Sequence, residues 1–288
     1  MLPRPSRASV SAADRKFLFL WVTGGWDPTK VFMTSTADTI HRDEGDEVMT
    51  YNGRKFISNP DRPAVDLFWS RNADQVTLLN GMLIRSINHP ICRNLWMTNT
   101  PNAGRPDWPS TIGHAAASRY AVPHLIISGY SMAEKYSAFT AVSGRGGQLQ
   151  QLNSGLANLM TDTPYAPPPI SVQQLMDQFA ATRANERSAA PKTDIEAHLT
   201  DSYREAANRL IDFKAETKDL DLAAGSAVSE QISLAMKILS GGISRCVTLA
   251  HGSGGWDTHV DNTEQDALFA SLFSDLSLLM ESLKNTPG

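Results

Sequence analysis

Two short apolar runs, one near each end of the chain, stop at the same four residues. Residues 16–22 (KFLFLWV) lead into Gly24-Gly25-Trp26-Asp27, and residues 245–250 (RCVTLA) lead into Gly254-Gly255-Trp256-Asp257. A brief, unbroken apolar run bounded by glycines reads as a strand covered on both faces. Each copy therefore places a carboxylate just past a strand end, and ligands of open α/β sheets bind outside the carboxyl ends of their strands. Asp27, Asp257 and, two residues further on, His259 are thus candidates for one site. The copies lie too far apart, with too little alike between them, to mark a solenoid period.

The rest of the chain fits that frame. Residues 48–57 carry Asn52-Gly53, the signal of a type I′ turn between two β-prone segments. Pro63 suits the first turn of a helix over 63–70. Residues 75–79 (QVTLL) read as a second parallel strand and 124–127 (HLII) as a third, with a helix over 109–117 between them. Residues 144–147 read as a loop and Pro167-Pro168-Pro169 as a stiff connector. Helical patterns follow over 172–185, 194–219 and 226–239, the last stopped by Gly241-Gly242. For the final helix, Asn262 is expected to be the cap, with Gln265 completing a capping box. Its apolar stripe is Leu268, Phe269, Leu272, Phe273, Leu276, Leu279 and Met280. The order predicts an α/β fold: a mostly parallel central sheet flanked by helices, with a helical insert over about 149–240.

Residues 1–14 read as a mobile leader ahead of a single domain over 15–288. Arg15-Lys16 before an apolar run faintly resembles an export signal. The run passes into the glycine turn without a small-residue cleavage site, which makes it a first core strand.

Composition narrows the function classes. A chain of 288 residues with net charge -4 and no basic tract lacks the footprint of a nucleic-acid binder. No stretch approaches the roughly 18 apolar residues of a membrane span. Two cysteines, Cys92 and Cys246, exclude a disulfide framework. Cys92 has only His89 and Arg93 nearby to activate it and reads as an inert thiol.

The chemistry concentrates at the turns. In an extended segment Asp257 and His259 point to the same side, and a carboxylate with an imidazole can share one metal ion. The plainer reading is a glycine turn whose Asp binds a local amide. Asp27-Pro28 has the same two readings, as a metal ligand or as a turn cap. Trp26 and Trp256 read as packing residues. His89 can bind a metal or an anion, and Arg93 can clamp an oxyanion. Asn88 and Thr98 lie on the same expected ligand side. His114 and His124 read as structural, and the role of His251 stays open. A phosphate-binding loop, a dinucleotide fingerprint and a serine-hydrolase elbow are all missing.

Taken together, Gly24-Gly25-Trp26-Asp27, the middle residues Asn80-Gly81, Ser86-Ile87-Asn88-His89, Thr98 and Trp108-Pro109-Ser110, and the run from Gly254 through Thr258-His259-Val260-Asp261-Asn262 are similar to the bacterial domain-of-unknown-function family 1501. That family is placed among alkaline-phosphatase-like and sulfatase-like folds. The resemblance implies a site above the strand ends that holds a divalent metal (zinc, calcium or magnesium) and hydrolyses phosphate or sulfate esters. On that pattern Asp27, Asp257 and His259 are metal ligands and His89 is the catalytic candidate near the nucleophile position. Asn88, Arg93 and Thr98 are the substrate-binding candidates, Thr98 matching the threonine that follows the nucleophile in sulfatase-like motifs. Family members continue into a further strand and a late Asp-His pair, so the chain reads as a C-terminally shortened relative. Many carry a twin-arginine leader, which implies a periplasmic or exported location.

Two functions follow. One is a metal-dependent hydrolase of a small-molecule or polymer ester, which requires Asp27, Asp257 and His259 to converge. The other is a non-catalytic exported binding or assembly protein, or an inactive fragment, on the same fold. A purely structural pair of turns would instead have each Asp bonded to its own local amides.

Overall fold

The computed structural model describes the chain except residues 1–10, 12–13, 36, 38, 80, 103, 144–167, 191–192, 221, 223–224, 253–254 and 287–288. Most of the expected leader, the loop over 144–147, Pro167 and Gly254 of the second tetrapeptide thus lie outside the described residues. The strands are β1 (Phe17–Val22), β2 (Glu47–Tyr51), β3 (Arg54–Ser58), β4 (His124–Ile126), β5 (Thr140–Val142) and β6 (Cys246–His251). The α-helices are α1 (Pro63–Asn72), α2 (His89–Thr98), α3 (Trp108–His114), α4 (Ile170–Ala189), α5 (Asp194–Thr217), α6 (Val228–Ser240) and α7 (Gln265–Asn285).

The fold is α/β, with a parallel sheet in the order β1-β6-β4-β5 flanked by helices. His124 of β4 stands opposite Thr140 of β5 and Cys246 of β6, both pairings parallel. β2 and β3 form the expected separate hairpin, with Asn52 and Gly53 both at positive φ in its turn. Among the described residues, no helix is long and apolar enough to cross a membrane.

Two expectations are corrected. Residues 75–79 are not a strand. A short 3-10 turn ends at Gln75, and Val76 and Leu78 then pack on a core cluster while Leu79 is exposed. The Val76 carbonyl accepts from Arg54 Nε (2.5 Å) rather than from a ladder partner. The sheet's remaining strand is β5, too short to show a period. The last helix also starts differently. Asp261, not Asn262, caps a 3-10 turn over Asn262–Glu264, accepting from the Thr263 N–H (2.8 Å), and the α-helix begins at Gln265.

The described residues fall into two compact units: 1–19, 104–224 and 237–248 in one, and 20–103, 225–236 and 249–288 in the other. In the first, α4 and α5 pair as a helical hairpin. A Thr193–Glu196 capping box opens α5, and Lys214 Nζ binds Asp177 (2.6 Å). The same unit buries a polar network. His124 is fully buried, with Nδ1 3.1 Å from Ser110 Oγ and Nε2 2.8 Å from Thr248 Oγ1. Asp107 caps α3 through the Ser110 N–H (2.8 Å) and accepts from the Ser131 hydroxyl (2.7 Å). Burial pushes the His124 pKa down to about 4, which keeps the ring neutral, and pushes the Cys246 thiol up to about 12, which keeps it inert.

In the second unit, α1 packs on α7 around Val31, Phe56, Trp69, Trp256, Phe269 and Phe273. The stripe read from the sequence supplies this contact: Phe269, Leu272, Phe273 and Leu279 are buried, and Leu268, Leu276 and Met280 pack against the cluster.

Candidate functional site

The two tetrapeptides meet, and the meeting point lies within the second unit. Their strands, β1 and β6, are neighbours in the sheet although 223 or more residues of chain separate Val22 from Cys246 and beyond. Gly24 adopts a φ of +117°, which strains any other residue, and a Cβ there would stand 3.2 Å from Trp256 Cβ, a tight approach that requires the tryptophan to give way. A Cβ on Gly25 would lie 3.8 Å from His89 Cε1 and 3.9 Å from Asp257 Oδ1.

One face of α7 holds both turns. Phe269 receives the edges of both tryptophan rings, with centroids 6.2 Å from Trp26 and 4.9 Å from Trp256. One helical turn earlier, buried Gln265 ties the two backbones. Its Oε1 accepts from the Asp27 N–H (2.8 Å), and its Nε2 donates to the Trp256 carbonyl (2.9 Å) and to Thr258 Oγ1 (2.9 Å). Thr258 Oγ1 donates in turn to Asn262 Oδ1 (3.0 Å), whose Nδ2 donates to Asp27 Oδ2 (3.0 Å). The ring Asp27–Gln265–Thr258–Asn262 is closed. Beside it, Lys30 and Arg62 are buried. Both bind Asp43 and Asp266, and Arg62 also binds Asp46. Buried cations persist only when paired in this way, and the pairing fixes Asp266 in the first turn of α7.

Above this base sits Asp257, between two imidazoles. His259 Nε2 lies 2.9 Å from its Oδ1, and His89 Nε2 lies 3.4 Å from its Oδ2. The site is open to water, with Asp257 42%, His89 52% and His259 78% exposed at the side chain. His89 is placed by local sequence. Asn88 caps α2, its Oδ1 accepting from the Ile91 N–H (3.1 Å), and Pro90 occupies the first turn, so His89 is the first helical residue.

The candidates divide. Asp257, His259 and His89 come together. Asp27 reaches the junction through its backbone, but its carboxylate acts as a cap. Oδ1 accepts from the Thr29 N–H (2.9 Å) and hydroxyl (2.7 Å), and Oδ2 is held by Asn262. Asn88 is likewise occupied as a cap. Thr98 is buried and donates to the Asn94 carbonyl (2.7 Å). Arg93 is half-buried on α2, and the Cys92 thiol donates to the Ser86 carbonyl (3.0 Å). His251 is buried against Asp275 (3.1 Å). The residues that sequence reasoning assigned elsewhere are Gln265, which the capping-box pattern claimed, and Asn262. Their long-range partners leave no local signal.

A carboxylate and two imidazole nitrogens are donors suited to a divalent ion such as zinc. Four donors bonded tetrahedrally at about 2.0–2.2 Å stand roughly 3.3–3.6 Å apart; the His89–Asp257 separation of 3.4 Å lies in that range, whereas the His259–Asp257 separation of 2.9 Å is that of a hydrogen bond. The three side chains are paired through Asp257 rather than closed into a cage. Among the described residues, no group of three or more His, Cys, Asp or Glu is already arranged around an ion position. Compared with protein families, with characterised proteins and with solved structures, the chain has no match.

Proposed function

We propose that Asp257, His259 and His89 bind one divalent cation and that the site hydrolyses phosphate or sulfate esters. The observation that carries this reading is one exposed carboxylate flanked by two imidazoles on a braced glycine turn, beside the ends of adjacent parallel strands. Three protein donors leave a coordination position for substrate, as catalytic zinc sites do. A bound ion would polarise the ester and offset charge that develops on its oxygens. The chain's own groups do the rest. Before an ion binds, Asp257 holds both Nε2 atoms close to its carboxylate; those pairings would give way to the bonds to the ion. Gln265, Thr258 and Asn262 hold the turn that carries Asp257, which limits the reorganisation that ligand binding must drive. Asp27 is a positioning residue in this reading, since its oxygens already bond within the protein. The α/β architecture is of the class that the resemblance to family 1501 implies, but fold class alone carries no activity.

The test is metal content after loading with zinc and gel filtration, for the parent chain and for Asp257→Ala, followed by hydrolysis of 4-nitrophenyl phosphate and 4-nitrophenyl sulfate. The expected result is one ion per parent chain, none retained by the variant, and ester cleavage that follows the metal. Equal metal in both proteins would overturn the ligand assignment.

A further inference from the structure

A cleft within the first unit is used by neither glycine turn. It runs along α5, between that helix and residues 117–123 and 138–141. Its open part holds about 560 Å³, within the range of small-molecule clefts. A narrower part of about 150 Å³ continues it, lined mainly by apolar side chains that include Val122, Leu210 and Phe213. Phe139 and Arg209 line both parts and join them. Five charged groups line the open part, and three of them are already paired. Arg119 binds Asp14. Arg209, 15% exposed, lies on the Phe139 ring (4.3 Å), donates to the Ala138 carbonyl (2.6 Å) and pairs with Glu205 (3.3 Å). Asp212 and Glu216 are left, and among the described residues neither has a hydrogen bond or an ion pair. They stand one turn apart on α5, a spacing at which like charges repel. They also lie in its last two turns, where the helix dipole disfavours anions. Partial burial first, and Asp212 second, hold the Glu216 carboxyl above its ordinary range. Lys214, the basic residue of the last turn, is bound to Asp177 instead.

We propose that this cleft binds a small alkylammonium ion, an assignment independent of the ester-hydrolase reading. The ammonium group sits against Asp212 and Glu216, and the alkyl chain passes Phe139 into the narrow apolar part. A cation there removes the repulsion between the two carboxylates and complements the C-terminal end of α5. Arg209, at the junction of the two parts, repels a positive head and so sets the direction of binding, head outward and chain inward. An anion would face two carboxylates that nothing neutralises. A bare divalent ion would leave the apolar part unfilled, and calcium takes six to eight oxygen ligands, more than two exposed carboxylates supply.

The experiment is a two-dimensional amide NMR titration of the isotope-labelled full chain with butylammonium, methylammonium, butyrate and calcium chloride at constant ionic strength. The expected result is that butylammonium shifts the amides of residues 118–121 and 205–216 saturably. It binds at least about tenfold more tightly than methylammonium, since covering two of its three further methylene groups supplies that factor. Butyrate leaves these amides unmoved, and calcium binds more weakly than butylammonium. The double variant Asp212→Asn/Glu216→Gln, at two exposed positions, keeps the circular-dichroism spectrum of the parent and lowers butylammonium affinity at least about tenfold. Asp257→Ala, which tests the ester-hydrolase reading, leaves the titration unchanged, so failure of one reading is distinguishable from failure of the other. Unaltered affinity in the double variant overturns the proposal, as does equal affinity for butylammonium and methylammonium. Saturable binding of butyrate at the same amides, or tighter binding of calcium than of butylammonium, also overturns it. So do shifts that spread over the surface without saturating.

Discussion

Each unit of this protein contains a cluster of carboxylate and imidazole groups, and the two clusters are built from similar parts to opposite ends. Around His124 the ring, Ser110, Thr248 and Asp107 are buried, both ring nitrogens have hydroxyl partners, and Asp107 accepts from two amides and a hydroxyl. Around Asp257 the side chains stand in water, and one carboxylate serves two imidazoles. In the buried cluster, desolvation first of all pushes the His124 pKa down to about 4. Perturbed titration marks functional sites only when the group can be reached. The difference teaches that spare bonding capacity on a braced, accessible support separates a candidate site from a structural network of the same residue types.

The largest expected effect comes from removing the support. Phe269→Ala takes away the ring on which both tryptophans rest and should lower the urea-unfolding free energy by about 3–5 kcal/mol. A loss below about 1 kcal/mol, the size expected of a lightly packed position, would show that the turns do not depend on it. The buried cluster is next. The folded-state pKa of His124 is about 4 against an ordinary 6.5. The unfolded chain therefore takes up this proton first as pH falls. Stability is full above pH 6.5, declines down to about pH 4 and then levels off, by roughly 3 kcal/mol in all. His124→Gln, which can keep both hydroxyl contacts, should flatten that part of the pH–stability curve. An unchanged slope would place the titrating group elsewhere.

Gln265→Leu is expected to cost less, about 1–3 kcal/mol, because it strands the Asp27 amide and the Trp256 carbonyl without their partner. It should also weaken zinc affinity in a calorimetric titration, since the turn carrying Asp257 loses its brace. Unaltered affinity would reduce Gln265 to a purely structural role. The smallest effect on stability belongs to Asp257→Ala, at an exposed position, within about 0.5 kcal/mol. The same substitution should abolish retained zinc. That contrast, a site dispensable for folding and essential for metal, is the reverse of what substitutions around His124 should give.

Much of this arrangement was legible in the sequence. The apolar runs over 16–22 and 245–250 mark β1 and β6, and the glycine turns that end them announced their convergence. The stripe from Leu268 to Met280 marks the inner face of α7. Residues 75–79 misled because a short apolar run looks the same whether it joins a ladder or rests on a core from outside. Helix α2 was readable, since Asn88 before His89-Pro90 is an N-cap followed by a first-turn proline. Without a helix assigned over 89–98, the fixed placement of His89 at the start of α2 goes unread. The pairing of His89 with Asp257 had no local trace, because 167 intervening residues separate them in the chain. The capping-box pattern at Asn262 and Gln265 was genuine in composition. It lost to the two buried backbone groups that Gln265 satisfies instead.

The central claim is that Asp257 and its two imidazoles are one binding centre, and a zinc-edge anomalous difference map from crystals grown with zinc tests it most directly. The account predicts a single strong peak about 2.0–2.2 Å from an Asp257 oxygen and from a ring nitrogen of both His89 and His259. A map with no peak there, the carboxylate still paired to the imidazoles and zinc bound only at other surface residues, would contradict it.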